Sequence, residues 1–257
     1  MAGLSVWGKI DASRSGWVSA PLAANPLIRC WTPPDQGAPP MLQLALPAGA
    51  ALGPHRYASD CLCIVVEGSV SCAGEGTFSP RDLRWCGAGH YSGGITAGEQ
   101  GATLLFVATA GELALEWGVE EQAVADARCK RVGFDDVAFV DFPDAAGRDT
   151  QPVQALFTDG PYLLRTRFAP DFVAGEHWHD FDTVYYVLAG AMQFGPQEPW
   201  YHPGDVRWVR GGHAYGPEQP GPEGVEFLLL SCGGPVSLRW ADLETAPRGR
   251  IFPVLSD

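Results

Sequence analysis

Residues 175–190 read GEHWHDFDTVYYVLAG, and residues 204–230 read GDVRWVRGGHAYGPEQPGPEGVEFLLL. In the first stretch His177 and His179 flank one tryptophan and open onto an apolar run rich in Val and Tyr, which is a strand pattern. Side chains alternate faces along a strand, so the two imidazoles project to the same side, roughly 7 Å apart. Two imidazoles on one face can grip a metal ion if a third donor arrives from a neighbouring strand. His213, 34 residues beyond His179, is the expected third ligand.

The second stretch has a counterpart earlier in the chain. Residues 81–107, RDLRWCGAGHYSGGITAGEQGATLLFV, match residues 204–230 at a constant offset of 123. Arg84-Trp85 falls over Arg207-Trp208, His90 over His213 and Gly101 over Gly224. Upstream, Leu42 falls over Leu164, His55 over His177 and Gly68 over Gly190, at an offset of 122. Two blocks matching in the same order point to two copies of one module, at residues 1–130 and 131–257. The stretch 118–130, with its alanines and glutamates, is the best helical segment and is expected to end the first copy. Elsewhere short runs of Val, Leu, Phe and Tyr are broken by Gly, Pro and Asp, which argues for antiparallel sandwiches or barrels.

Composition narrows the function classes. The chain has 257 residues, long enough for one large domain or two of average size, and 32 Gly with 22 Pro suit tight turns better than long helices. A formal charge of −13 with no Lys/Arg-rich block argues against nucleic acid or an anionic membrane as partner. Residues 1–9 lack the features of a signal peptide, and no apolar run approaches the ~20 residues of a membrane span. A cytoplasmic protein with reduced, mostly buried thiols is therefore expected from the seven cysteines. Cys61 and Cys63 are one residue apart with no second pair, so a zinc ribbon is not expected.

The segment Gly175-Glu-His177-Trp-His179-(x3)-Thr183-(x6)-Gly190 resembles the first cupin motif, and Gly204-Asp205-(x6)-Gly212-His213 resembles the second. The whole chain resembles a bicupin, near the subgroup similar to the C-terminal domain of the anti-sigma factor ChrR. Trp208, His213-Ala-Tyr-Gly-Pro-Glu218 and Gly221-Pro-Glu-Gly224 carry that last likeness. The resemblance implies an all-β chain of two tandem cupin barrels (double-stranded β-helix, or jelly roll) with a short helix between or after them. It implies a C-terminal barrel that binds metal through His177, His179 and His213. Three positions depart from the pattern. Thr183 replaces the glutamate ligand, Arg210 replaces a proline, and His213 comes two positions early with Tyr215 in the usual histidine slot. A bulge would re-aim His213 inward; otherwise Tyr215 substitutes for it.

Imidazole donors suit Zn, Cu, Fe and Ni. The resemblance to three-histidine cupins puts Fe(II) first, with Zn, Mn, Ni or Cu as alternatives; three histidines plus water would equally hold zinc. Tyr186 and Tyr215 are the expected catalytic residues, orienting substrate or supplying a proton. Arg165 and Arg167 share one strand face and would neutralise an anionic substrate if that face were inward. Glu176, Asp180, Asp182 and Glu218 are expected on a solvated rim. The first module keeps His55 and His90 but has Tyr57 over His179 and Cys61 over Thr183, and is expected to be a degenerate site. The resemblance implies a non-haem Fe(II) dioxygenase cleaving a small ketone, diketone or hydroxyaryl ketone with O2. The alternatives are a non-redox metal-dependent lyase, isomerase or hydrolase, and a non-enzymatic ChrR-like sensor. Sheet edges need covering, so a homodimer is expected.

Overall fold

The structure, a computed structural model, describes residues 7–10, 18–19, 27–30, 38–117, 128–140 and 153–241. Its regular structure is β, and among the described residues the one helical turn is the 3-10 segment Phe134–Asp136. The helix expected over 118–130 lies outside the described residues up to position 127. At its far end Cys129 and Lys130 belong to the strand Cys129–Gly133, so no helix ends there. None of the described helices is long and apolar enough to cross a membrane.

The chain forms two compact units, each a jelly roll with one large antiparallel sheet and one small one. In the first unit the long strands Cys61–Cys72 and Ile95–Ala108 pair with each other and with Met41–Leu46 and Asp82–Cys86. The small sheet holds His55–Tyr57 between Tyr91–Ser92 and Leu115–Trp117. In the second unit Asp182–Gln193 and Gln219–Cys232 are the long pair, flanked by Val206–Val209 and Tyr162–Phe168. Its small sheet pairs His177–Trp178 with Arg239–Trp240.

Two strands sit where the expected boundary at 130/131 does not put them. Trp7–Ile10 adds to Val206–Val209 at the edge of the second unit's sheet. Cys129–Gly133 spans the boundary and pairs with Asp82–Cys86 in the first unit. The two additions occupy equivalent places, since Trp7 opposes Val209 and Cys129 opposes Cys86.

The period-2 alternation of the strands fills each interior. In the second unit Leu164, Phe168, Tyr185, Val187, Phe227 and Leu229 point into one core. The repeat survives at the glycines. Gly68 and Gly190 adopt φ 72° and 71°, and a Cβ there would stand 2.0 and 2.1 Å from the carbonyl oxygens of Gly101 and Gly224. Only glycine permits that approach.

Candidate metal centre in the C-terminal barrel

His177 and Tyr215 are locked opposite each other by two backbone hydrogen bonds, His177 N–H to Tyr215 O at 3.0 Å and Tyr215 N–H to His177 O at 2.9 Å. Directly opposed residues share a face, so both side chains enter the barrel. Tyr185 enters from the adjoining long strand, and the rings of His177, His179, Tyr185 and Tyr215 gather with centroids 4.6 to 6.4 Å apart.

Both histidines are fixed in one tautomer. His177 Nδ1–H donates to Gly175 O at 2.8 Å and His179 Nδ1–H donates to Ser237 O. Carbonyls only accept, so each proton sits on Nδ1 and each Nε2 carries a lone pair. Burial lowers the pKa of His177 to about 3 and that of His179 to about 4, so both rings are neutral at pH 7. A neutral imidazole anchored through Nδ1 to a carbonyl is the form in which histidine ligates a metal.

The phenols complete a chain of contacts. Tyr215 Oη lies 3.1 Å from His177 Nε2 and Tyr185 Oη 2.9 Å from His179 Nε2, and the two phenol oxygens also touch each other. Neither Nε2 has a proton to give, so each hydroxyl proton is directed to its histidine. Two protons then serve three contacts, and the oxygen–oxygen contact has none. A cation among these four donors would supply what is missing. Among the described residues His177, His179 and Glu218 do not by themselves bring three ligand atoms within 4.8 Å of one another. The phenol oxygens of Tyr215 and Tyr185, 3.1 and 2.9 Å from the two Nε2 atoms, are the nearest further donors.

Beside this cluster lies a small cavity lined by Phe168, Phe172, Phe227, Leu229, Leu238 and Trp240. Two of its polar linings, Thr166 Oγ1 and Glu218 Oε1, are buried without a hydrogen-bond partner. Glu218 Oε1 lies 3.8 Å from His177 Nε2, and burial pushes its carboxyl up to about 8. An orphaned buried polar atom costs a few kcal/mol unless something binds it.

Arg207 closes the floor of the site. It is fully buried, bonds Glu198 through Nε at 2.9 Å and Nη2 at 2.7 Å, and stacks 4.1 Å from the Tyr215 ring and 4.3 Å from that of Phe194. The first unit repeats the device, with Arg84 bonded twice to Glu75 and its Nη1 donating to Tyr57 Oη at 2.7 Å. It also repeats the histidine anchor, since His55 Nδ1 meets Gly53 O at 3.0 Å. His55 opposes Trp117 as His177 opposes Trp240, with ring centroids 5.1 and 5.2 Å apart.

Sequence reasoning and structure part company at several residues. His213 is half-buried in a turn closed by its N–H on Arg210 O at 3.1 Å, away from the cavity lining. That turn, not a bulge, precedes Tyr215, so Tyr215 takes the position expected of His213. Tyr186 is one residue from Tyr185 and so projects from the opposite face of the strand; Tyr185 is the phenol in the site. Arg165 and Arg167 face away from the cavity that Thr166 and Phe168 line, and both pair with Glu226. Glu218 lies inside, 3% exposed, not on the rim. Asp180 and Asp182 do serve the surface, bonding Arg239 and the Gly211 N–H. In the first unit Cys61 Sγ turns to Leu62 O at 3.6 Å, while His90 Nε2 faces Arg84 and Glu75.

By sequence, no protein-family model and no curated protein matches the chain. By structure it is similar to a candidate dioxygenase from Nostoc punctiforme, with TM-score 0.71 and 16% identity over 93% of this chain and 85% of that one. A candidate glyoxylate-induced protein from Pseudomonas aeruginosa gives 0.62 at 15% identity, covering 88% of each chain. An oxalate decarboxylase variant from Bacillus subtilis gives 0.60 at 14% identity over 91% of this chain and 79% of that one. At these identities the likeness is one of fold, and the fold it supports is the cupin barrel, here in tandem.

Proposed function

We propose that the C-terminal barrel is a metal-dependent dioxygenase site for a small, largely apolar ketone or diketone. The observation that carries the reading is the pair of neutral imidazoles, each anchored at Nδ1 and presenting an Nε2 lone pair to a phenol-bridged cluster beside an apolar cavity. His177 and His179 would hold a divalent first-row ion, with Tyr215 in place of a third histidine and Tyr185 or Glu218 completing the set. Fe(II) remains the first choice. When bound, the ion would supply Lewis acidity and, if it is iron, a redox-active centre through which the substrate's electrons reach O2. The protein's own contribution is positional. Phe168, Phe172, Phe227 and Leu229 would exclude water and hold the carbon skeleton, and Thr166 would donate to a carbonyl oxygen. Thr183, where the resemblance expects a glutamate, would leave the substrate room that a carboxylate ligand would take.

A second reading rests on Glu218. A buried carboxyl raised to about 8 is protonated at pH 7 and placed to give a proton to a substrate, as non-redox lyase or isomerase chemistry requires. Turnover decides between the two. Full-length protein purified anaerobically is loaded with Fe(II) and followed by oxygen electrode with diketones and hydroxyaryl ketones. The dioxygenase reading expects substrate-dependent O2 uptake that His177→Ala and His179→Ala abolish, together with metal content by elemental analysis. Equal turnover without O2 moves the assignment to the second reading, and full activity in metal-free His177→Ala overturns both.

A further inference from the structure

His90, the first unit's counterpart of His213, joins a different group of side chains. Cys86 ends the strand Asp82–Cys86, Cys129 opens Cys129–Gly133, and the two residues stand directly opposite each other in the antiparallel pair. Their sulfurs are 3.6 Å apart. His90 returns over them from a turn closed by its N–H on Gly87 O at 3.1 Å. One ligand atom from each of Cys86, His90 and Cys129 lies within 4.8 Å of the other two, and among the described residues this is the group of His, Cys, Asp and Glu that closes so tightly. We propose that Cys86, Cys129 and His90 form a second metal site, in the first unit, for a thiophilic divalent ion such as zinc.

Several observations support this assignment. Zinc–sulfur bonds of ~2.3 Å at a tetrahedral angle place two thiolates ~3.8 Å apart, and the 3.6 Å separation needs almost no adjustment. Two sulfurs with one imidazole select zinc over magnesium, calcium or manganese. The surrounding charge is balanced for a dication: Arg84 and Glu75 cancel each other in a paired contact, leaving two thiolates for two positive charges. Glu75 borders the group, its Oε2 3.3 Å from Cys129 Sγ and its Oε1 3.7 Å from His90 Nε2, but both oxygens are bonded to Arg84, so water would be the fourth donor. Finally, the equivalent pair in the second unit is Trp7 opposite Val209, so nothing in the fold demands sulfur at these places. Cys129 and His90 are half-buried, which leaves the ion a way in.

The test is spectroscopic and independent of catalysis. Cobalt(II) is titrated into the reduced, chelator-stripped full chain, where thiolate coordination produces sulfur-to-cobalt charge-transfer absorption. The His177→Ala/His179→Ala double variant, which lacks the C-terminal site, is expected to develop it with one equivalent, the wild type with no more than two, and zinc to abolish it in both. Cys129→Ser is expected to lose it and His90→Gln to weaken cobalt binding at least tenfold. Should the serine variant not fold, as judged by circular dichroism, His90→Gln decides alone. Absence of the band in protein whose thiols titrate as reduced overturns the site. So does its persistence in Cys129→Ser, or peptide mapping that finds a Cys86–Cys129 disulfide formed in the presence of excess zinc.

Discussion

Tyr215 stands where a third histidine was expected, and its hydroxyl touches both His177 Nε2 and Tyr185 Oη. Tyr186, which the sequence offered as a catalytic phenol, is one position from Tyr185 and on the other face. The two tyrosines therefore make a matched pair of controls. Tyr215→Phe keeps the ring that Arg207 stacks on and removes only the oxygen. Its affinity for a divalent ion, measured by calorimetric titration of the stripped protein, is expected to fall by about 10–100-fold. Tyr186→Phe is expected to leave that affinity unchanged. Equal affinity in wild type and Tyr215→Phe would remove the phenol from the coordination.

At the level of strands, the turning points are set by backbone, not by side-chain chemistry. Gly190 bulges the strand Asp182–Gln193 between Val187 and Met192, where a Cβ would lie 2.1 Å from Gly224 O with φ at 71°. Gly49 has a similar φ of 66° but open space around it. Gly190→Ala is expected to cost about 3 kcal/mol or more, from the strained φ and the collision together, and Gly49→Ala about 1–2 kcal/mol from φ alone. Urea midpoints of the two variants measure the difference, and similar values would show that the bulge yields. The bulge glycines and the module repeat were legible because a one-residue deletion leaves the offsets at 122 and 123. Register inside the site was not. Whether position 213 or 215 enters the barrel depends on the turn at Arg210–His213, and a one-residue slip flips a side chain to the other face. Arg207 and Glu198 could have been found, since Arg84 and Glu75 repeat them at the offset of 123, but a buried ion pair leaves no hydrophobic pattern to read.

Across the whole molecule the shifted groups of both units fix how stability depends on pH. His177 and His179 stay neutral in the fold down to about 3 and 4, whereas the unfolded chain protonates them from 6.5. The unfolded state then binds more protons, so stability falls as pH drops below about 6.5. On the alkaline side, hydrogen bonding to Cys129 and Glu75 raises His90 to about 9, which loses stability as pH rises from 6.5, while bonding to Cys86 lowers Cys129 to about 6, which gains stability over much the same interval. These two half-buried groups oppose each other. Glu218 is left, its carboxyl ordinarily at 4.5 but held protonated by burial until about 8. The unfolded chain has already released that proton, so stability declines up to pH 8 by about 1.4 kcal/mol per pH unit. Between 4.5 and 6.5 the two histidines outweigh it, and above 6.5 it acts unopposed. Metal-free protein is therefore expected to be most stable near pH 6.5, with a melting temperature that falls on both sides. Glu218→Gln removes the titrating proton and is expected to flatten the descent between pH 6.5 and 8 while keeping the acid limb, as scanning calorimetry across pH 5–8 would read. An alkaline descent of equal slope in the glutamine variant would show that Glu218 ionises normally, and would withdraw its carboxyl as a proton donor in the cavity.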